Sequence, residues 1–112
     1  MPTMQEKQLG QLRPANTSAA SIYAPPASTT GIVSRVEIQN VTASGVSFSI
    51  YHDDNGTTYD EESVIYLSSP ILANGHVSID AHWSASSTSS HLAVKTSTAS
   101  ALTFTFYGVE IA

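Results

Sequence analysis

The chain has 112 residues, no cysteine, 41% hydrophobic and only 12% charged residues, and a formal net charge of −5. That length supports one domain with a small core, and the lack of Cys excludes a disulfide framework and thiol chemistry. Lys7 and Arg13 against Glu6 leave residues 1–30 at +1, whereas Arg35 and Lys95 against eight acids leave residues 31–112 at −6. So acidic a body cannot build a phosphate-binding face, and no nucleic-acid partner is expected. No apolar run reaches the length of a membrane span, and Met1–Gly10 lacks the apolar stretch of a secretory leader, so neither a membrane partner nor secretion is expected. The glycosylation sequons at Asn16, Asn40 and Asn55 then carry little weight.

Residues 1–30 hold four of the five prolines and show no sustained hydrophobic period. They read as an extended N-terminal arm, with a short strand at Ser21–Ala24 stopped by Pro25 and Pro26. An arm of this composition is costly to order alone and is more useful lying on a partner. Gly31 opens the body, 31–112, which alternates apolar and polar residues in short runs. Ile32, Val36 and Ile38 share one face of the first strand, with Ser34 between them. After a turn at 41–45, Val46, Phe48 and Ile50 point inward and Ser47, Ser49 and Tyr51 outward, so the two strands form an antiparallel hairpin.

Asp53-Asp54-Asn55-Gly56 is a turn signal. A weak strand near Thr58 and a stronger one at Val64–Leu67, ended by Pro70, follow. Ala73-Asn74-Gly75 turns again. Val77, Ile79 and Ala81 alternate with Ser78 and Asp80, and Ser84–Ser90 is a polar loop. Leu92, Val94 and Thr96 line another face. Leu102, Phe104 and Phe106 alternate until Gly108, where the apolar parity switches to Val109 and Ile111, the signature of a β-bulge. Seven or eight short strands and no helical run predict an all-β fold: a single antiparallel β-sandwich. It is jelly-roll-like, with an immunoglobulin-like sandwich as the alternative. The expected core is Ile32, Val36, Ile38, Val46, Phe48, Ile50, Val77, Ile79, Leu92, Val94, Leu102, Phe104 and Phe106.

Candidate chemistry is thin. Read as a twelve-residue calcium loop, Tyr51–Glu62 puts Asp53, Asn55, Gly56 and Glu62 at positions three, five, six and twelve, but Tyr51 stands at position one and strands flank it. His52, His76, His82 and His91 lack the close spacing of a zinc pair. No metal site and no cofactor are expected. A Ser/His/Asp triad has no nucleophile-elbow motif behind it, so the chain does not read as an enzyme. Tyr51, Tyr59, Tyr107 and Trp83 are candidates for an exposed surface contact, with protein or with sugar.

The wording of several segments is more specific than their composition. Leu9-Gly10-Gln11-Leu12-Arg13-Pro14-Ala15-Asn16, Ser21–Pro26, Val36–Asn40, Phe48–Tyr59, Leu92–Ser97 and Ala101–Gly108 resemble a group of small virion structural proteins of tailed bacteriophages. The resemblance covers most of the chain and implies an accessory β-sandwich of the particle. The extended arm joined to a small, acidic, Ser/Thr-rich sandwich then reads as a capsid cement or decoration protein on the capsid surface, assembled in the host cytoplasm and partnered by the major capsid protein and by itself as a homotrimer. Leu9, Leu12, Arg13, Ile22 and Tyr23 are the expected anchors of the arm. The alternative is a tail, neck or head-fibre subunit that touches host-surface glycans.

Overall fold

The structure, a computed structural model, describes residues 3–54, 56 and 58–112. Eight strands follow in chain order: β1 (Met4–Leu12), β2 (Ala20–Tyr23), β3 (Thr30–Asn40), β4 (Val46–Asp53), β5 (Val64–Ile71), β6 (His76–Ala85), β7 (His91–Thr96) and β8 (Leu102–Ile111). There is no helix among the described residues. One sheet has the order β1-β8-β3-β6, the other β2-β7-β4-β5, and every pairing is antiparallel. First strand pairs with last, second with seventh, third with sixth and fourth with fifth. That nested order, laid out as two four-stranded sheets, is the jelly roll, and it rules out the immunoglobulin-like arrangement.

The inner faces follow from period-two burial. Val36, Ile38, Ile79, Leu102, Phe104 and Phe106 come from the first sheet, and Val46, Phe48, Ile50, Ile71, Leu92 and Val94 from the second. An aromatic chain crosses between them. Phe104 meets Phe48 edge-on at 6.4 Å, Phe48 meets Tyr66 at 6.0 Å, Tyr66 meets Trp83 at 6.4 Å and Trp83 meets Phe106 at 6.3 Å. Tyr66 lies on β5 and Trp83 on β6, the outer strands of the two sheets on one side, so these rings seal that side of the sandwich.

Several sequence expectations change. Where residues 1–30 read as an arm, the structure builds two strands from them. β1 runs along β8 from Met4↔Ile111 to Leu12↔Phe104, and β2 runs along β7. The period was hidden because β1 is an outer strand with polar side chains from Gln5 to Gln8, exposed in the fold, so backbone pairing rather than apolar alternation defines it. The weak strand near Thr58 is instead part of the β4–β5 loop. β5 continues through Pro70 to Ile71, tolerable because β5 borders only β4.

The irregularity near Gly108 is also placed differently. β8 is unbroken, and the extra residues are on its neighbours: Leu9 between the pairs Gln8↔Tyr107 and Gly10↔Phe106, and Ser34 between Val33↔Gly108 and Arg35↔Tyr107. Ser34 therefore shifts β3 by one, so Val33 is fully buried and Ile32 only half-buried; Val77 is likewise half-buried.

Asn40, the sequon asparagine, is wholly buried and holds one end of the sandwich together. Its Nδ2 donates to Ser44 O at 2.8 Å and Leu72 O at 3.1 Å, and its Oδ1 accepts from Thr42 N at 2.9 Å and Thr42 Oγ1 at 2.7 Å. The loops 13–19, 41–45, 72–75 and 97–101 gather here, joined by Ser100 N→Pro14 O at 2.8 Å, Val41 N→Ala101 O at 2.9 Å and Asn74 N→Thr42 O at 2.9 Å. The turn predicted for 73–75 is present, and Asn74 takes a left-handed backbone there, with φ 54°. The loops 24–29 and 86–90, with the described residues between β4 and β5, lie at the opposite end.

Candidate functional site

The expected anchors are mostly turned inward. Tyr23 is buried in the core, and Leu9, Leu12 and Ile22 pack partly buried against it. Tyr23 Oη donates to Glu110 Oε2 at 2.7 Å, and Glu110 Oε1 accepts from Lys7 Nζ at 3.1 Å, tying β1 and β2 to β8. Burial, then the bond to Glu110, pushes the Tyr23 phenol up, while that same bond holds the Glu110 carboxyl down. Of the five anchors only Arg13 is exposed. Tyr23→Phe should cost about 1.5 kcal/mol, near the lower end for a bond to a charged group because Glu110 keeps some solvent. Denaturant titration checks it; an unchanged midpoint would mean that the bond contributes nothing.

The aromatic candidates divide in the same way. Tyr107 is 42% exposed, but Tyr51 is only 4% exposed and Trp83 is packed on the core. Tyr51 does lie on the outer face of its sheet, as its parity predicts. It is covered because Tyr59, from the β4–β5 loop, folds over it with ring centroids 6.1 Å apart. Burial raises the Tyr59 phenol. No sequence signal reveals a loop lying back on a strand face.

At the end of β4 Asp53 Oδ2 accepts from Thr58 N at 2.6 Å, and within the loop Asp60 Oδ1 accepts from Glu62 N at 2.9 Å. Both carboxylates shape the turn. Asn55 and Thr57 lie outside the described residues, and no cluster of three metal-ligating side chains occurs among those described. The histidines join elements: His91 Nδ1 meets Ser21 Oγ at 2.9 Å between β7 and β2, and the half-buried His52 meets Ser90 Oγ at 3.1 Å. Burial draws the His52 imidazole down.

The outer face of the first sheet carries a polar network that sequence alone did not join. Cross-strand register sets β3 beside β6, with Glu37↔Ser78 and Gln39↔His76 paired. The Glu37 carboxylate accepts from Ser78 Oγ at 2.6 Å and contacts Arg35 Nε and His76 Nε2. The Ser78 bond, then Arg35 and His76, hold the Glu37 carboxyl down at about 2. A depressed carboxyl stabilises the fold above its ordinary value near 4.5 and loses that contribution as pH falls from there to about 2. Thermal melts across this window should show a shallower acid decline for Glu37→Gln than for the parent, and parallel declines would overturn the assignment.

On the outer face of the second sheet runs a groove of about 320 Å³ lined by Thr17, Ser47, Ser49, Tyr51, Leu67 and Lys95, among others. Its polar floor is committed internally: Ser49 Oγ accepts from Ser68 N at 2.9 Å and Ser97 Oγ from Ser47 N at 2.9 Å. Beside it, along β5, stands a row of exposed apolar side chains. The surface therefore offers smooth polar faces and one apolar border, features suited to contact with other macromolecules.

Strand count and sheet order put this chain in the class of eight-stranded jelly rolls. The same fold occurs in the acidic stable capsid structure of Helicobacter pylori bacteriophage KHP30, with a TM-score of 0.54 at 12% identity, covering 100% of this chain and 94% of the other. It occurs again in the T13 particle of infectious bursal disease virus, with a TM-score of 0.56 at 10% identity over 98% of this chain and 30% of that one. The Gx strain of the same virus gives 0.51 at 9% identity over 99% of this chain and 33% of that one. The chain thus spans about a third of the bursal disease virus chains and nearly all of the phage one. No family model matches the sequence, and no curated protein is significantly similar to it.

Proposed function

We propose that this protein is a virion structural component, a capsid cement or decoration protein that binds the major capsid protein shell of a tailed bacteriophage and stabilises the head. The observation that carries the reading is one of scale and topology together. Residues 4–111 are used up in a complete jelly roll, and its counterpart in a phage capsid structure is a chain of nearly the same length. The resemblance of Leu9–Asn16, Phe48–Tyr59 and Ala101–Gly108 to small tailed-phage virion proteins supports the same reading.

The fold alters how attachment works. Tyr23 is buried in the protein's own core and Leu9, Leu12 and Ile22 pack partly buried against it, which leaves them little surface for grooves on a shell. The exposed N-terminal surface available for contact includes the stretch Met4–Gln8 of β1, Arg13 and Ala15–Ser18. Many copies on one particle turn a modest affinity per site into stable coverage.

Quantitative gel analysis of purified virions tests this. A cement protein should approach stoichiometry with the shell protein, and particles lacking it should release their genome at lower temperature. A few copies per particle would instead place the chain in the neck or tail.

A further inference from the structure

The groove on the outer face of the second sheet is rich in hydrogen-bond donors and is lined by no acid among the described residues. Lys95 on β7 stands opposite Ser49 on β4. Ser97 and Ser47 follow on the same face, joined by Ser97 N→Ser47 O at 2.9 Å and Ser47 N→Ser97 Oγ at 2.9 Å. The third wall comes from a bulge in β5. Between Phe48↔Ser69 and Ile50↔Tyr66, β5 has two residues opposite Ser49 alone. Ser68 sits there with φ 49°, its N–H donates to Ser49 Oγ, and Leu67 is turned outward at 59% exposure.

These bonds use the oxygens of Ser49 and Ser97 as acceptors. Each hydroxyl keeps its own hydrogen, so what it still offers is a donor. Tyr51 adds another. It lines the groove and is only 4% exposed, yet its hydroxyl makes no hydrogen bond to any described residue. Among the described residues the one side-chain polar atom both sealed from solvent and without a hydrogen-bond partner is Tyr59 Oη, so the Tyr51 hydroxyl keeps access to the outside. A phenol otherwise covered, with its polar end left open, is placed to serve a ligand.

Charge points the same way. Residues 31–112 hold two cations, Arg35 and Lys95. Arg35 is paired with Glu37, whereas Lys95 is exposed and enters none of the ion pairs formed by the described residues. The groove therefore presents one ammonium and several neutral donors. A carboxylate matches that single charge. A phosphate dianion would bring a second negative charge onto a body that already carries a formal −6. The volume of about 320 Å³ is at the small end of ligand sites and exceeds what a carboxylate alone would fill. The serine hydroxyls suit further hydroxyl groups, and Leu67 offers an apolar edge for the C–H face of a ring.

We infer that this groove binds an acidic sugar unit, a monosaccharide-sized ligand whose carboxylate pairs with Lys95 and accepts from the Tyr51 hydroxyl. Ser47, Ser49 and Ser97 meet its hydroxyl groups, and Leu67 flanks its ring. The inference rests on the groove alone and stands apart from the virion reading, which copy number tests.

Titration of the isotopically labelled full chain with sodium glucuronate, followed by amide NMR shifts, decides it. Saturable shifts are expected at Ser47, Ser49, Lys95 and Ser97, with a dissociation constant on the order of millimolar, as one ion pair and a few hydroxyl contacts allow. Lys95→Gln, at an exposed position, should raise that constant at least about tenfold. Tyr51→Phe, which keeps the ring that Tyr59 covers, should raise it about threefold. Unchanged shifts away from the groove show that both variants are folded. Glucose and acetate each offer half of the recognised chemistry and should bind at least about tenfold more weakly than glucuronate. No saturation by about 0.1 M glucuronate, binding of acetate or inorganic phosphate as tight as that of glucuronate, or a constant indifferent to Lys95→Gln would overturn the proposal.

Discussion

Replacing Phe104 with Ala should lower the unfolding free energy by about 3–5 kcal/mol. Phe104 has no exposure, sits on a strand flanked on both sides and begins the aromatic chain that runs through Phe48 to Tyr66 and Trp83. Its removal leaves a cavity between two sheets whose spacing is held by the remaining rings, so the walls cannot collapse to refill it. Urea titration followed by far-UV circular dichroism measures the loss. A cost below about 1 kcal/mol would mean that the ring does not occupy the core.

Gly108→Val should be at least as damaging, through crowding instead of a void. A Cβ at this position would come within 1.9 Å of the Ile32 carbonyl oxygen and 2.8 Å of Leu9 Cδ1. The first of these is backbone, and it belongs to β3, which is fixed by β6 on its other side. The added branch must therefore push β8 from β3 or expel β1, and a loss of about 3 kcal/mol or more is expected. Gly45→Ala is the matched control, because its nearest contact would be the Ile71 carbonyl oxygen at an ordinary 3.8 Å. Its effect should stay within about 0.5 kcal/mol. If both substitutions prove equally mild, the close approach at Gly108 is not a constraint on the fold.

The core of the sandwich was readable wherever a strand has one face buried and no interruption. Val46, Phe48 and Ile50 on β4 and Leu102, Phe104 and Phe106 on β8 show this: every second residue is apolar and buried, as period two requires. Reading failed where pairing rather than side-chain alternation makes the strand. Gln5–Gln8 have no inward apolar residue, so nothing in their pattern announces β1. It failed again where an extra residue resets parity. Ser34 exchanges Ile32 for Val33, and Ser68 turns Leu67 and Leu72 to the same outer side although their numbers differ by five. The candidate contact residues were least legible, because exposure depends on tertiary cover. Tyr51 has outward parity yet lies beneath Tyr59, and Tyr23 spends its hydroxyl on a carboxylate 87 residues away in sequence.

The nested strand order has a kinetic consequence. β4 and β5 are the pair nearest in sequence; β3 with β6, β2 with β7 and β1 with β8 follow at growing separation, so each successive pairing closes a longer loop. Loop-closure entropy then favours folding outward from the β4–β5 hairpin, with slow overall rates typical of such distant contacts. β8, the last of the eight strands to be made, lies between β1 and β3 and completes the ladders of both. Until it joins them β1 and β3 present unsatisfied backbone edges, so any surface that spans the sandwich forms only after that late step.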